Sequence, residues 1–297
     1  MKSGFVSLIG RPNAGKSTLL NRLVGNKLAI VSDKPQTTRN RIVGVKNCEA
    51  GQIIFTDTPG IHRPLHRMNV RMVDLAVEAA RQADLVGLVR DASVPAGAGD
   101  RFVRGLLGKA RIPVVLILNK IDRLAKPKLL PMIDAARAAY PFVEIVPVSA
   151  LDGTNVDRLE RVLFDHLPEG EPLYPQDFVT DQPERFFVAE IVREKVLQST
   201  RDELPFSTAV VVDRFEEPDA GGLMRLYCSI LVEKDSQKPI VIGRSGQMIK
   251  RIGSAARQDL EHFFRTRVFL DLRVKVRSLW REDERALDEL GLGRPKP

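Results

Sequence analysis

One octapeptide near the amino terminus constrains this chain more than any other stretch. Gly10-Arg11-Pro12-Asn13-Ala14-Gly15-Lys16-Ser17 follows an apolar run at residues 5–9 and precedes Leu19, Leu20, Leu23 and Val24 at helical spacing. The pattern G-x-x-x-x-G-K-[ST] between a strand and a helix is a phosphate cradle. Its glycines let the backbone curl so that successive N–H groups face an anion. The helix that starts there adds its positive end. Lys16 is expected on the β- and γ-phosphates, Ser17 on Mg²⁺, and Thr18 in the cradle beside them. The octapeptide alone implies a nucleoside triphosphate without naming the base.

Four further motifs follow, three of them at the ends of strand-like runs. Asp57-Thr58-Pro59-Gly60 closes the strand-like run 52–56. Asp57 is the expected Mg²⁺ carboxylate, and the Gly60 amide is placed to sense a γ-phosphate. Gln36-Thr37-Thr38-Arg39-Asn40 lies in a loop before the strand at 42–46, and Thr38, rather than Thr37, is the expected Mg²⁺ hydroxyl. Lys16, Thr38, Asp57 and Gly60 are therefore the candidate catalytic set. Asn119-Lys120-Ile121-Asp122 closes the apolar run 113–118. A carboxylate at 122 can accept two hydrogens from guanine N1 and N2, a pair that adenine does not offer. Asn119 would brace the loop and Lys120 lay its stem along the base. Ser149-Ala150 would bring a backbone amide to purine O6.

Strand-like runs at 5–9, 42–46, 52–56, 85–89, 113–118 and 143–148 alternate with helical stretches such as 70–82, 131–140 and 154–167. That alternation predicts a mostly parallel sheet covered on both faces. Pro168, Pro172, Pro175 and Pro183 then interrupt all periodicity, which predicts a linker. Beyond it the order changes to helix (185–200), two strands (207–215 and 223–234), a helix pair from about 240 to 265, and a strand alternating Val268, Leu270, Leu272, Val274 and Val276 with polar or basic residues. A short helix is expected over 281–290. The boundaries expected are residues 1–170, a linker at 171–183, and residues 184–297. At 297 residues and 43% hydrophobic content there is material for two cores. No apolar run reaches 18 residues, so no spanning helix is expected. Nor does the start read as a secretory leader. Cys48 and Cys228 lie far apart without metal-ligand spacing, which fits a reducing cytoplasm.

Charge separates the two halves. Residues 1–172 carry 25 basic and 17 acidic side chains, whereas residues 173–297 carry 21 of each. Within the neutral half, residues 238–277 hold ten basic and three acidic residues. That stretch contains Gly243-Arg244-Ser245-Gly246 before a helix bearing Lys250 and Arg251, and it ends on a strand bearing Arg273 and Lys275. Two glycines admit close approach of a sugar–phosphate backbone, and the basic residues add charge. These eight are the candidate RNA-binding residues.

Taken together, GRPNAGKS, QTTRN, DTPG, NKID, VSA and IVIGRSGQMIK resemble the Era family of bacterial ribosome-assembly GTPases, over essentially the whole chain. The resemblance implies an α/β P-loop GTPase domain, a mostly parallel sheet with helices on both faces, followed by a smaller α+β type II KH domain. It implies GTP and GDP as ligands and Mg²⁺ as cofactor. It also implies single-stranded RNA near the 3′ end of small-subunit ribosomal RNA, and the small ribosomal subunit, as partners. A monomer in the cytoplasm, peripherally associated with the inner membrane, goes with it. Ala14 stands where the family usually has Val. Ile61 stands where Ras-type enzymes place a water-orienting Gln, so unassisted hydrolysis should be slow, on the order of 10⁻⁴ s⁻¹. His62 and His66 are read as exposed loop side chains. Related GTPases with Asn at the position of Asn13 bind K⁺ beside the phosphates, which makes Asn13 a candidate K⁺ ligand. Two other readings stay open: a non-catalytic RNA-binding scaffold with a structural nucleotide, and an ATPase or nucleotide kinase.

Overall fold

The alternation of strand and helix builds a six-stranded sheet in the computed structural model. The structure describes all residues except 63, 65, 109–111, 201–203, 219–220 and 293–297. In chain order the first half runs β1 (Lys2–Gly10), α1 (Lys16–Val24), β2 (Ile42–Cys48), β3 (Gly51–Asp57), α2 (Arg67–Arg81), β4 (Leu85–Asp91), α3 (Ala98–Leu107), β5 (Val114–Asn119), α4 (Leu129–Ala139), β6 (Glu144–Pro147) and α5 (Val156–Asp165). The sheet order is β2-β3-β1-β4-β5-β6, and β2 alone runs antiparallel to its neighbour. Side-chain alternation along each strand divides the core. Val6 and Leu8 pack with Leu19, Leu23, Leu159 and Leu163 of α1 and α5. Ile9, Val86 and Leu116 pack with Ala76, Val103 and Ala136 of α2, α3 and α4. With both faces covered, the loops at the carboxyl ends of the parallel strands are where a ligand can reach. The octapeptide, Asp57 and Asn119 all stand there.

The second half continues with α6 (Glu184–Ser199), α7 (Leu204–Ser207), β7 (Ala209–Glu216), β8 (Leu223–Val232), α8 (Lys238–Ile242), α9 (Gln247–Phe264), β9 (Arg267–Val276) and α10 (Glu284–Glu289). Its three-stranded sheet has the order β7-β8-β9, with β8 antiparallel to β7 and parallel to β9. A parallel neighbour requires a crossover, and α8 and α9 supply it. Val188, Val192, Leu226, Ile230, Ile252, Ala256 and Leu260 form a core separate from the first domain's.

Two places differ from the expectation. The proline-rich stretch 171–183 is not a free tether. Gln52 accepts at Oε1 from the Leu173 and Tyr174 amides (both 2.9 Å) and donates to the Tyr174 carbonyl (2.9 Å). The Val45 amide donates to the Val179 carbonyl at 2.8 Å, and Tyr174 and Phe178 pack on Val43, Val45 and Ile54. Helix α2 begins at Arg67, a turn earlier than the expected 70. Its first turn is organised by the other domain: Met68 and Met72 bury against Trp280, Ala286, Leu287 and Leu292, and the Met68 amide donates to the Arg281 carbonyl at 3.1 Å. Local periodicity carries no signal for such a contact.

Candidate nucleotide site and RNA groove

Gly15, with φ of 92°, turns the chain into α1, and Lys16 is the first residue of that helix. A Cβ at Gly15 would lie 2.2 Å from Asn119 Nδ2, so that position admits no side chain. Lys16 is 5% exposed and donates to the Gly10 (3.3 Å) and Arg11 (3.1 Å) carbonyls, folded over its own loop. Burial pushes its ammonium below the usual lysine range, and the nearby Asp57 opposes that shift. Asp57 is fully buried, which raises its carboxyl above the usual range against the pull of Lys16, Ser17 and Thr38. Ser17 Oγ lies 2.7 Å from both Thr38 Oγ1 and Asp57 Oδ2, while Thr38 Oγ1 donates to Asp57 at 3.4 Å. Asp57 Oδ1 is buried with no hydrogen-bond partner. Three hard oxygen ligands and one unused carboxylate oxygen at one point suit Mg²⁺. Thr37 points elsewhere: its hydroxyl donates to the Lys34 carbonyl at 2.6 Å.

The base-side loops are braced before any base arrives. Asn119 Nδ2 donates to the Ala14 carbonyl and its Oδ1 accepts from the Ala150 amide, both at 2.9 Å. Lys120, in a left-handed conformation (φ 67°), donates to the Asn13 carbonyl and to Asp91, both at 2.6 Å. Ser149 Oγ donates to Asp122 Oδ1 at 2.8 Å, which leaves the other carboxylate oxygen toward its neighbour Arg123 at 3.9 Å. The Ala150 amide expected at purine O6 thus serves here to hold Asn119. Arg11 is in the cradle by its backbone only; its guanidinium turns away to Asp100 at 3.2 Å, over Gly99. Pro12 abuts Gly60, where an added Cβ would come within 2.6 Å of the proline Cα. Thr58 donates to the Leu8 carbonyl at 2.8 Å, and Pro59 is buried. Asn13, at φ 59°, donates to the Asp33 carbonyl at 2.7 Å and so ties the cradle to the loop that carries Thr38.

That loop also reaches the second domain. Arg193 of α6 donates to the Thr37 carbonyl, and Arg39 is 4% exposed inside the second domain. Arg39 donates to the carbonyls of Thr208 (2.7 Å), Pro205 (3.0 Å) and Phe206 (3.3 Å), with its guanidinium 5.5 Å from the Trp280 ring centre. Beside it Glu194, 2% exposed, binds Lys27 at 2.7 Å and the Val31 amide at 2.9 Å. From α2, Arg71 binds Asp288 (2.6 Å) and Glu284 (2.9 Å) of α10.

In the second domain Gly243 (φ 75°), Ser245 (φ 50°) and Gly246 (φ 77°) form a left-handed turn between α8 and α9. A Cβ at Gly243 would meet Met248 at 2.5 Å. Arg244 and Ser245 stand exposed at its tip. From there an open groove of about 490 Å³ runs between α9 and β9, lined by Ile249, Lys250, Gly253, Arg257, Leu270 and Leu272.

A curated relative, GTPase Era of Geobacter metallireducens, is 52% identical over 290 residues, which covers 98% of this chain and 97% of that protein. The chain belongs to the Era family of GTPases. Its residues 5–120 match the model of the 50S ribosome-binding GTPases and its residues 203–281 that of the KH domain. Among solved structures, an Aquifex aeolicus Era variant bound to GDP and AlF₄⁻ superposes with a TM-score of 0.95 at 41% identity, covering 99% of this chain and 100% of that one. Era in complex with MgGDPNP and nucleotides 1506–1542 of 16S ribosomal RNA superposes equally, at 40% identity over 99% of both chains.

Within this Era-family frame, most of the predicted site comes together and three residues do not. Arg273 and Lys275 alternate with Leu272 and Val274 on β9, so they leave the opposite face of the sheet from the groove. There Arg273 pairs with Asp271 (3.1 Å) and Lys275 with Asp213 (3.3 Å). Arg251, exposed on α9, is likewise outside the groove lining that holds Lys250. Sequence reasoning missed Arg257. Its signal was available, seven residues after Lys250 and therefore on the same helix face. Ile61 is 2% exposed and packed in the core, so it can position no water. His62 sits between the two loops, with Nδ1 3.2 Å from the Gly60 carbonyl and Nε2 3.4 Å from Gln36 Nε2. His66 is not a free loop side chain; it binds Glu282 of the second domain at 2.8 Å. Both cysteines are free, and among the described residues no helix is long and apolar enough to cross a membrane.

Proposed function

We propose that this chain is a GTP-hydrolysing switch that binds single-stranded ribosomal RNA near the 3′ end of the small-subunit RNA and assists small-subunit assembly. One observation carries the reading: three consecutive residues connect the nucleotide site to the RNA-binding half. Thr38 is at the Mg²⁺-type oxygen cluster, the Thr37 carbonyl is held by Arg193 of the RNA-binding half, and Arg39 is buried inside that half. A change in the loop's engagement with a γ-phosphate must therefore move contacts of the KH domain. The RNA target rests on the Era complex with 16S ribosomal RNA, which aligns over nearly the whole of both chains.

The chemistry follows from the residues. Entering phosphates draw Lys16 Nζ off the Gly10 and Arg11 carbonyls, and its ammonium, short of solvent, gains more from an anion than an exposed lysine would. Ser17, Thr38 and Asp57 would hold Mg²⁺, which when bound spreads the charge of the β- and γ-phosphates. The Gly60 amide follows the γ-phosphate, since its contact with Pro12 ties it to the cradle. Asp122, oriented by Ser149, selects guanine. With Ile61 buried, the attacking water is left to backbone groups or a partner, and turnover without one is slow. The tie at Asn13 uses its Nδ2 on the Asp33 carbonyl, so its Oδ1 is the side-chain oxygen that could hold K⁺ next to the phosphates. The surplus of eight basic residues would favour anionic surfaces, in line with a cytoplasmic monomer that visits the inner membrane.

The test is fluorescence anisotropy with a labelled single strand of the small-subunit RNA 3′ end. A non-hydrolysable GTP analogue and GDP should give affinities at least tenfold apart, and Arg39→Ala should bring the ratio toward one. Equal affinities in the wild-type protein would remove the switch.

A further inference from the structure

The first domain holds a second cavity that the nucleotide chemistry does not use. It lies between α3 and α4, over β4 and β5 and behind the phosphate cradle, with a volume of about 280 Å³. Val103, Leu116, Met132, Ala136 and Phe142 supply apolar walls. That is roughly twice the ~150 Å³ of an apolar cavity that accepts benzene, so it has room for a bicyclic aryl body.

Its polar lining is unbalanced. Arg11, Arg90 and Arg104 line the cavity together with one acid, Asp100. Asp100 is already committed, to Arg11 at 3.2 Å and to the Gly97 amide at 2.8 Å. Among the described residues the Arg104 guanidinium makes one weak bond, to the Ala139 carbonyl at 3.4 Å. Arg90 has a buried Nε with no acceptor among the described residues. A buried donor without a partner is a cost that an acceptor oxygen relieves. The surroundings point the same way. Residues 98–142 contain nine basic and three acidic residues, a surplus of six that supplies most of the first domain's surplus of eight.

We infer that this cavity is a binding site for a small amphiphilic carboxylate, its apolar body between α3 and α4 and its carboxylate on Arg90 and Arg104. A planar carboxylate matches a guanidinium better than a point acceptor does. Gly10 and Arg11 form part of the wall, so an occupant touches the back of the cradle and can bias the nucleotide's residence.

The probe is 2-naphthoate, and the readout is the ¹³C-methyl resonance of Met132 in the full-length protein. A saturable shift is expected, with neutral 2-naphthamide binding at least tenfold more weakly. Arg90→Gln should lose about tenfold for the acid and leave the amide unchanged. Ala135→Leu, which narrows the cavity, should weaken both probes while GDP binding stays intact. No saturable shift, or acid and amide binding alike in the wild type, would overturn the assignment, and neither result depends on a variant folding. GDP binding and RNA binding are measured separately, so failure here leaves the proposed switch standing.

Discussion

The nucleotide cradle and the RNA groove solve the same problem, holding a phosphate-bearing ligand, by opposite means. In the cradle the charged groups are buried and mutually braced: Lys16, Asp57 and Asn119 are at most 5% exposed, and each is fixed by neighbours before a ligand enters. In the groove Lys250 and Arg257 are exposed side chains around an aliphatic floor, with Arg244 exposed on the turn that precedes it. Pre-organised buried donors give large, position-specific effects. Exposed cations give small, additive, salt-screened ones.

Substitutions should reproduce that contrast. The largest effect is expected from Lys16→Ala. GTP turnover followed by phosphate release should fall by about 10²–10³-fold, while nucleotide-free RNA binding changes less than twofold; unchanged turnover would revive the scaffold reading. Next is Asp122→Asn, which swaps a charged acceptor for an amide. Loss of one to two charge-assisted bonds predicts about a hundredfold weaker GDP binding by calorimetry, with a gain for xanthine nucleotides. Wild-type preference for ATP would overturn the base assignment altogether. Arg39→Ala leaves buried carbonyls without donors, so thermal unfolding should report a loss of about 3 kcal/mol; a loss under 1 kcal/mol would mean the two halves are less tightly joined than the contacts indicate. Exchange of KCl for NaCl at equal ionic strength should lower turnover only a few-fold, and equal rates would end the role given to Asn13. The smallest effect sharpens the comparison most. Arg257→Gln should lower the slope of log affinity against log salt by about 0.7, the increment of one phosphate contact on a single strand, whereas Arg273→Gln, on the far face of the sheet, should not.

The same contrast explains what could be read in advance. The cradle is contiguous in sequence, and its partners recur at strand ends, so spacing alone brought Lys16, Ser17, Asp57, Asn119 and Asp122 together. The apolar run 5–9 reads as a buried strand but does not say that Val6 and Leu8 face α1 and α5 while Ile9 faces the opposite layer. On β9 an alternation was visible, but it does not say which face meets α9; charge alone put Arg273 and Lys275 in the groove, and Asp213, on a distant strand, turned out to be the partner of Lys275. The link through Arg39 was hidden for a related reason. An arginine in a polar loop reads as solvated, and its acceptors are backbone carbonyls some 166–169 residues away. Met68 lies outside the expected helix 70–82 and Met72 inside it, and nothing local marks either as one of the pair that Trp280 covers.

The strap laid along β2 has a mechanical consequence. β2 is an outer strand of its sheet, and residues 173–179, fastened to it and to Gln52, close an edge that would otherwise invite pairing with another molecule. The fastening runs through the Thr180 hydroxyl, which donates to the Val43 carbonyl at 2.7 Å, to the Gln182 side chain, which donates to the Arg41 carbonyl at 3.3 Å. Helix α6 starts at Glu184, so Pro183 alone separates the last tie from the helix. With Arg39, Arg193 and Glu194 also bridging the halves, little slack chain lies between them, and an RNA held by the second half would sit on a short rein from the first.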